Sequence, residues 1–359
     1  MTALVIVLSA TTSAHADIIV GVAGPMSGQY AIFGEQMVHG AQAAIDEINA
    51  KGGIYGEQLR LDVGDDGCDN RKAEELAKTF VSNGASVVIG HFCSNAALIG
   101  AKIYEAANIP MISPSASLPS LAENAGWNVV RIASRDDAQA EVAASRIKQK
   151  TPEAIVAIVD DGSGAGKALA GRFKAAYGKN PMSVTIKPDT KDISTLVADM
   201  QLHGVDTVYF ACSASDTGNI AAALKSQGLA IEFYGSDSLL ADQFWANAKE
   251  AGEDTLATFA TDPQSAHQAK LAIESLKIAG FNADGATLPS YAAVQLFAAG
   301  AVQTGAHNGR GIVEYLRSGK ANETVLGALA FDAKGEVQPP RFVWYRWSQG
   351  AYSAESSNN

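Results

Sequence analysis

The chain of 359 residues is long enough for two or three domains of about 100 to 200 residues each. With 47% hydrophobic and 18% charged residues, its composition excludes a disordered protein and predicts substantial apolar cores. The net charge is -11 and the 27 Lys and Arg residues are scattered, so we expect no nucleic-acid partner.

The first sixteen residues have the features of an export signal. Residues 3–10 are apolar, and residues 14–16 (Ala-His-Ala) have the small-x-small form that signal peptidase cuts. We therefore predict a cleaved signal peptide over residues 1–16 and a mature chain that begins at Asp17. The alternative is a buried N-terminal strand or helix, because residues 1–3 lack the positive charge that is usual in a leader.

After Asp17 the chain alternates short apolar runs, turns rich in Gly, Ser or Asp, and helical periods. This alternation predicts an α/β fold with two parallel sheets, each covered by helices on both faces. The predicted strands are 18–23, 59–63, 87–89, 111–112, 129–132, 154–159, 183–186, 207–211, 232–235 and a late strand at 341–347. The predicted helices are 33–50, 71–83, 96–107, 138–149, 166–177, 193–202, 217–227, 264–278 and 290–303. Residues 353–359 are expected to fray.

Three cysteines, Cys68, Cys93 and Cys212, are present. In an oxidising compartment two suitably placed thiols pair. We predict a disulfide between Cys68 and Cys93, because both follow strand-like runs whose ends would lie side by side. Cys212 is interpreted as a buried free thiol. The chain has no CxxC and its six histidines are dispersed, so neither a zinc site nor a catalytic cysteine is indicated.

Several motifs that suggest catalysis have the wrong spacing. Residues 162–167 follow a predicted strand but match neither a P-loop nor GxGxxG, so they are interpreted as a turn. The serine in 24–28 stands one place too late for a nucleophile elbow. The acidic stretch 65–69 lacks the remaining EF-hand ligands, and the carboxylate pairs 136–137 and 160–161 suit turns or helix caps. We expect no enzyme activity, no cofactor and no metal.

Polar loops after predicted strands are the better candidates for ligand binding, since they lie at the carboxyl edge of a parallel sheet. Ser94 stands just before a predicted helix, where free N–H groups favour a carboxylate. Residues 113–117 offer hydroxyls and carbonyls at the same edge. In the second half, Asp237 follows a strand and suits an ammonium group. The alternative is that Ser94, Ser117 and Asp237 serve only as helix caps.

These segments resemble the periplasmic Leu/Ile/Val-binding protein family, the solute receptors of branched-chain amino acid ABC transporters. The resemblance implies a type I periplasmic binding fold: two Rossmann-like lobes, joined by three crossover segments, that close on a ligand like a hinge. It also implies a disulfide between Cys68 and Cys93 and a location in the periplasm. The residues that carry it are 24–28, 46–56, 65–69, 88–94, 111–114 and 291–295. The implied domains are lobe 1 (17–135 and 266–338) and lobe 2 (136–265 and 339–359).

The resemblance also implies the ligand-binding residues. The ligand's carboxylate falls on Ser94 and Ser117, and its ammonium group on the Ser115 carbonyl, the Ser117 hydroxyl and Asp237. Ala116, in the same loop, belongs to the predicted set. This division is physically reasonable, because a zwitterion leaves water only where each of its charges meets partners.

The predicted pocket for the ligand's side chain departs from the family pattern. Phe33 keeps the aromatic wall of the first lobe. Ala165 stands where relatives often have a tyrosine, and Ser213 stands at another frequent aromatic position. Because two rings are lost, we expect a wider and more polar pocket, suited to a roomier or more polar amino acid or to a related amide or aromatic compound.

The resemblance therefore predicts a monomeric, non-enzymatic solute-binding component of an amino-acid ABC transport system. Its expected partners are a small amino-acid-like ligand and a membrane permease. The alternative is a ligand-sensing regulatory protein of the same fold, such as an amide or amino-acid sensor.

Overall fold

The structure, a computed structural model, describes residues 17–188 and 192–355. The predicted signal peptide lies outside the described residues. The chain divides into two compact units. Unit 1 comprises the described parts of 1–116, 124–132 and 266–335, and unit 2 those of 117–123, 133–265 and 336–359.

Unit 1 is built on a parallel sheet of five strands in the order β2-β1-β3-β4-β5. Its central strands are nearly continuous apolar runs because both faces of the sheet are covered. The strands are β1 (Ile18–Gly24), β2 (Leu59–Asp65), β3 (Val87–Gly90), β4 (Met111–Ser113) and β5 (Val129–Arg131). β11 (Asn322–Thr324) and β12 (Gly327–Phe331) form a separate antiparallel pair.

The helices of unit 1 pack in pairs, α1 with α11 and α2 with α3. Each pair contacts strands of the sheet, so the apolar stripes of the helices complete the core. The helices are α1 (Ala31–Ala50), α2 (Asn70–Ser82), α3 (Ser94–Ala106), α10 (Lys270–Ile278), α11 (Thr287–Thr304) and α12 (Arg310–Leu316).

Unit 2 contains a sheet of seven strands in the order β15-β14-β10-β9-β8-β6-β7. The five strands from β10 to β7 are parallel, as predicted, but β14 and β15 run antiparallel. The strands are β6 (Val156–Asp160), β7 (Met182–Thr185), β8 (Thr207–Ala211), β9 (Glu232–Gly235), β10 (Leu256–Ala260), β14 (Phe342–Ser348) and β15 (Ala351–Ala354); the short β13 spans Val337–Gln338. The sheet is mixed at this edge, because β14 and β15 form a hairpin that pairs with β10, an antiparallel addition that the prediction of parallel sheets did not include.

The two faces of the unit 2 sheet carry separate apolar cores. Successive residues of β8 point to opposite faces, so Tyr209 packs with Phe173 of α6 while Phe210 belongs to the core on the other side. Helices α5 and α6 cover the first face, and α8 and α9 belong to the second. The helices of this unit are α4 (Ser120–Asn124), α5 (Ala138–Lys150), α6 (Gly164–Tyr177), α7 (Ser194–Leu202), α8 (Ala214–Ser226) and α9 (Asp242–Ala248).

The end of the chain is more ordered than predicted. Ser353 lies in β15, and Glu355 forms ion pairs with Arg146 and Arg346 at 2.7 and 2.6 Å. The prediction that residues 353–355 fray is wrong, because strand pairing and these charges hold them. Residues 356–359 lie outside the described part.

The disulfide between Cys68 and Cys93 is confirmed, with the two Cα atoms 5.5 Å apart. It joins the loop after β2 to the residue before α3. Within residues 17–188 and 192–355, no helix is both long and apolar enough to cross a bilayer.

Candidate functional site

The predicted ligand-binding residues lie after the carboxyl ends of parallel strands in both units. In unit 1, Ser94 begins α3, which follows β3, and Ser115 follows β4. In unit 2, Ala165, Ser213 and Asp237 follow β6, β8 and β9 respectively. Parallel strands with alternating helices place these loops at the same edge of each sheet, which is where open α/β sheets bind small ligands.

The loop that leads into α3 brings a hydroxyl to the start of a helix. Cys93 is the N-cap of α3, and its side chain makes no capping hydrogen bond. Ser94 is the first residue of the helix and lies in its first turn. Backbone N–H groups of a first helical turn lack partners within the helix and attract negative charge. Phe92 in this loop stacks on Phe33, with ring centroids 4.7 Å apart. The predicted aromatic wall of unit 1 is thus a pair of rings.

The loop after β4 is hydrogen-bonded to the loop after β3. The Ser115 hydroxyl donates to the Phe92 carbonyl at 3.1 Å, and the Ser113 hydroxyl donates to the His91 carbonyl at 3.3 Å. The Ala116 N–H donates to Ser113 Oγ at 3.1 Å. These bonds fix the backbone of one loop against the other.

A buried arginine supports the same loop. Arg131 is 1% exposed, and its Nη1 donates to the Ala116 carbonyl at 3.1 Å. A buried cation requires such acceptors, and the bond orients the peptide between Ala116 and Ser117. No local pattern in the sequence indicates this role of Arg131, because its partner stands fifteen residues earlier in the chain.

Unit 2 has a cavity of about 740 Å³ at the carboxyl edge of its sheet. This volume lies within the usual range of small-molecule sites. The predicted residues Ala165, Ser213 and Asp237 all line it. Most of its other lining residues are small or acidic, and no aromatic ring is among those that the structure describes: Leu118, Pro119, Ser120, Glu123, Asp136, Asp137, Gln139, Asp161, Ser163, Gly164, Gly166, Ala168, Leu169, Ala211, Cys212, Ser236 and Ser238.

Two helices begin at this cavity, and serines cap both. The Ser163 hydroxyl accepts from the Gly166 N–H at the start of α6, at 2.9 Å. The Ser213 hydroxyl accepts from the Asp216 N–H at 3.1 Å and donates to the Asp216 carboxylate at 2.8 Å. Ser213 is therefore held by a capping arrangement as well as lining the cavity.

Asp237 is oriented by a residue from another helix. Gln139 Nε2 donates to Asp237 Oδ1 at 3.1 Å, and Gln139 Oε1 accepts from the Asp237 N–H at 2.9 Å. The same Oε1 accepts from the buried Thr258 hydroxyl at 2.8 Å. Gln139 is 4% exposed, so this network fixes the aspartate from the protein side.

Acidic side chains dominate the charge near the cavity. Arg135 donates to both carboxylate oxygens of Asp137, at 2.9 and 2.8 Å, and lies 3.3 Å from Glu123. The hydrogen bonds to Asp137 raise the pKa of the Arg135 guanidinium. The Ser117 hydroxyl donates to Asp136 at 2.9 Å. Within residues 17–188 and 192–355, including those near the cavity, no group of three or more His, Cys, Asp or Glu residues is suited to hold a metal ion.

Cys212 is a buried free thiol, as predicted. Its Sγ lies 3.2 Å from the Val159 carbonyl. Burial raises the pKa of this thiol, and the nearby carboxylates raise it further. The thiolate is the reactive form, so burial disfavours the reactive state of Cys212.

Comparison with known proteins assigns the family. The family model for periplasmic binding proteins matches residues 17–350. The chain belongs to this family. The Leu/Ile/Val-binding protein homolog 1 of Brucella melitensis is 34% identical to it over 353 residues, which cover 97% of this chain and 95% of that protein. Leu/Ile/Val-binding protein BraC3 of Rhizobium johnstonii is 33% identical over 352 residues, covering 97% and 96% respectively.

A solved structure agrees with the fold. The ABC transporter substrate-binding protein of Desulfitobacterium hafniense in complex with Leu superposes with a TM-score of 0.69 and 23% identity. The match covers 95% of this chain and all of that one. The predicted fold class, a type I periplasmic binding protein, is confirmed.

Gln139→Leu is expected to destabilise the protein by about 1 to 3 kcal/mol, because it removes the partner of Asp237 and one acceptor of the Thr258 hydroxyl. Denaturant-induced unfolding measures this loss. The matched control is Gln227→Leu at the exposed end of α8, which we expect to change the free energy of unfolding by less than about 0.5 kcal/mol. Equal effects of the two substitutions would contradict the role given to Gln139.

Proposed function

We propose that this periplasmic binding protein is the amino-acid-binding component of an ABC transport system. The observation that carries the proposal is Asp237, an exposed carboxylate that lines the unit 2 cavity and is oriented by Gln139. The names of the relatives support an amino-acid ligand, since they are Leu/Ile/Val-binding proteins. The bound leucine of the Desulfitobacterium hafniense structure supports the same class.

We assign the two charges of the amino acid to different sets of polar groups. Asp237 of unit 2 balances the ammonium group, together with the Ser115 carbonyl and the Ser117 hydroxyl. Ser94, in the first turn of α3 in unit 1, donates to the carboxylate, with Ser117 as a second donor. Hydroxyl and backbone donors neutralise a carboxylate without a salt bridge, and a desolvated ammonium group needs a full charge to offset its lost hydration.

The unit 2 cavity favours a ligand with a large or polar side chain. Ala165 and Ser213 line it with small groups, and its volume is about 740 Å³. Phe33 and Phe92 supply stacked rings in unit 1. An aliphatic side chain of four carbons would bury less apolar area against Ala165 and Ser213 than against aromatic rings at the same positions. We therefore propose a roomier or more polar amino acid, or a related amide or aromatic compound, as the ligand.

The proposal includes export and a permease partner. We propose that residues 1–16 are cleaved as a signal peptide, that the mature protein is a monomer in the periplasm, and that it delivers its ligand to a membrane permease without chemical conversion. The intact mass of the exported protein checks the first of these points. A species that begins at Asp17 is expected, and a chain that retains residues 1–16 would contradict the cleavage.

Thermal denaturation with each standard amino acid tests the ligand class. A ligand at 100 times its dissociation constant stabilises the folded state by about 2.7 kcal/mol, which raises the melting temperature measurably. We expect the largest rise with a large or polar amino acid. If leucine, isoleucine or valine gave the largest rise and the others none, the wide pocket would be wrong. If neither an amino acid nor a related amide or aromatic compound raised the melting temperature, the proposed function would be wrong.

Asp237→Asn is expected to weaken binding of the best amino acid by at least about 30-fold, because it removes the charge that balances the ammonium group. Isothermal titration calorimetry measures the dissociation constant. Asp242→Asn is the matched control, since Asp242 is exposed at the start of α9 and does not line the cavity. Wild-type affinity in the Asp237 variant would show that another group binds the ammonium.

A further inference from the structure

Unit 1 contains a buried chain of three titratable side chains close to the Ser94 loop. His91 Nδ1 lies 2.6 Å from Asp66 Oδ2, and His91 Nε2 lies 3.1 Å from the Tyr104 hydroxyl. All three residues are 0% exposed. Polar groups at this depth are tolerated only when each has a partner, so the three side chains depend on one another.

An arrangement of donors and acceptors that runs from Tyr104 through His91 to Asp66 satisfies all three side chains. A carboxylate only accepts hydrogen bonds, so the Nδ1 that faces Asp66 carries a proton. Asp66 Oδ1 also accepts from the Cys68 N–H at 2.8 Å. Burial and the charge of Asp66 raise the pKa of Tyr104, so its hydroxyl keeps its proton. A protonated Tyr104 hydroxyl donates to His91 Nε2 when that nitrogen carries no proton, and His91 Nδ1–H then donates to Asp66.

Two glycines leave room for this arrangement. Gly90 has φ +147°, and a Cβ there would lie 2.3 Å from the Ala23 carbonyl oxygen. On α3, a Cβ at Gly100 would lie 2.3 Å from His91 Nε2. The imidazole of His91 thus has a defined orientation, and α3 closes the space around it on one side.

The backbone around His91 supports both of the unit 1 loops that carry predicted ligand-binding residues. The His91 carbonyl accepts from Ser113 and the Phe92 carbonyl accepts from Ser115. Ser94 follows two residues after Phe92 and begins α3, the helix that also carries Tyr104. The side chain of His91 is therefore held from two directions. One partner is Asp66, in the loop that the disulfide joins to Cys93, and the other is Tyr104 of α3.

We propose that His91, held by Asp66 and Tyr104, is a positioning residue for carboxylate binding. It fixes Ser94 in the first turn of α3 and, through the carbonyls of residues 91 and 92, the loop of Ser115. The inference rests on the proposed function, in which Ser94 binds the ligand's carboxylate. It adds that the affinity for this carboxylate depends on a hydrogen-bonded chain that does not touch the ligand.

The test compares two ligands and three variants. The ligands are the amino acid that binds the wild-type chain most tightly and its carboxamide, which keeps the ammonium group and side chain but lacks the charge at the other end. The variants are His91→Phe, Tyr104→Phe and the control Tyr177→Phe. Tyr177 is a buried tyrosine of unit 2 whose hydroxyl donates to the Ala154 carbonyl at 3.3 Å. Calorimetry gives the dissociation constant for each combination.

We expect His91→Phe to weaken binding of the amino acid by about 10-fold or more, and Tyr104→Phe by about 3- to 10-fold. Binding of the carboxamide is expected to change much less, so the preference for the acid over the amide falls. The Tyr177 control is expected to leave this preference unchanged. An equal loss for both ligands, or no loss, would overturn the positioning role. If His91→Phe does not fold, Tyr104→Phe alone decides, because it preserves the volume of the ring and the bond between His91 and Asp66.

A measurement without ligand separates this inference from the proposed function. NMR spectra of the full chain with isotopically labelled histidine are expected to show His91 as the neutral Nδ1–H tautomer, with a proton shielded from exchange. The Nε2–H tautomer, or a rapidly exchanging proton, would overturn the order of hydrogen bonds. A wild-type chain that bound no amino acid would instead contradict the proposed function, while the tautomer would still support or overturn the hydrogen-bonded chain.

Discussion

A charged ligand leaves water only where fixed partners replace its hydration, and this constraint accounts for much of the polar structure in both units. In unit 2, Asp237 does not stand alone, because the amide of Gln139 bonds both its side chain and its N–H. In unit 1, hydroxyls of one loop bond the carbonyls of the next. Groups that are already fixed lose little conformational entropy when a ligand arrives, so more of the interaction energy appears as affinity.

The same constraint explains why serine is so frequent at the strand ends. A serine hydroxyl is a donor and an acceptor at once, so it caps a helix, bonds a neighbouring loop or meets a ligand with little change of shape. Ser213 caps α8, Ser163 caps α6 and Ser115 crosslinks two loops. The surrounding residues Ala165 and Ala168 leave space at the unit 2 cavity. Under the proposed function, the volume of the cavity sets specificity for the ligand's side chain more than particular apolar contacts do.

The fold was largely predictable from the sequence because apolar runs and helical periods are local signals. β8 and β9 were predicted with the bounds that the structure has, and the disulfide followed from strand ends. The hairpin of β14 and β15 was not predicted, because its direction depends on pairing with β10, a strand that the sequence analysis also missed. For the site, the sequence indicated residues that follow strands. It did not indicate Gln139, whose partner Asp237 is 98 residues away, since such a pair leaves no pattern in a single sequence.

The hairpin at the end of the chain has a consequence for association between molecules. A parallel sheet that ended at β10 would offer a row of unpaired N–H and C=O groups to any other extended chain. β14 pairs with these groups of β10. β15 then becomes the edge strand of the sheet, and it has only four residues, all exposed. A border this short gives a second molecule few backbone groups to pair with. The hairpin thus protects this border of the sheet against edge-to-edge aggregation.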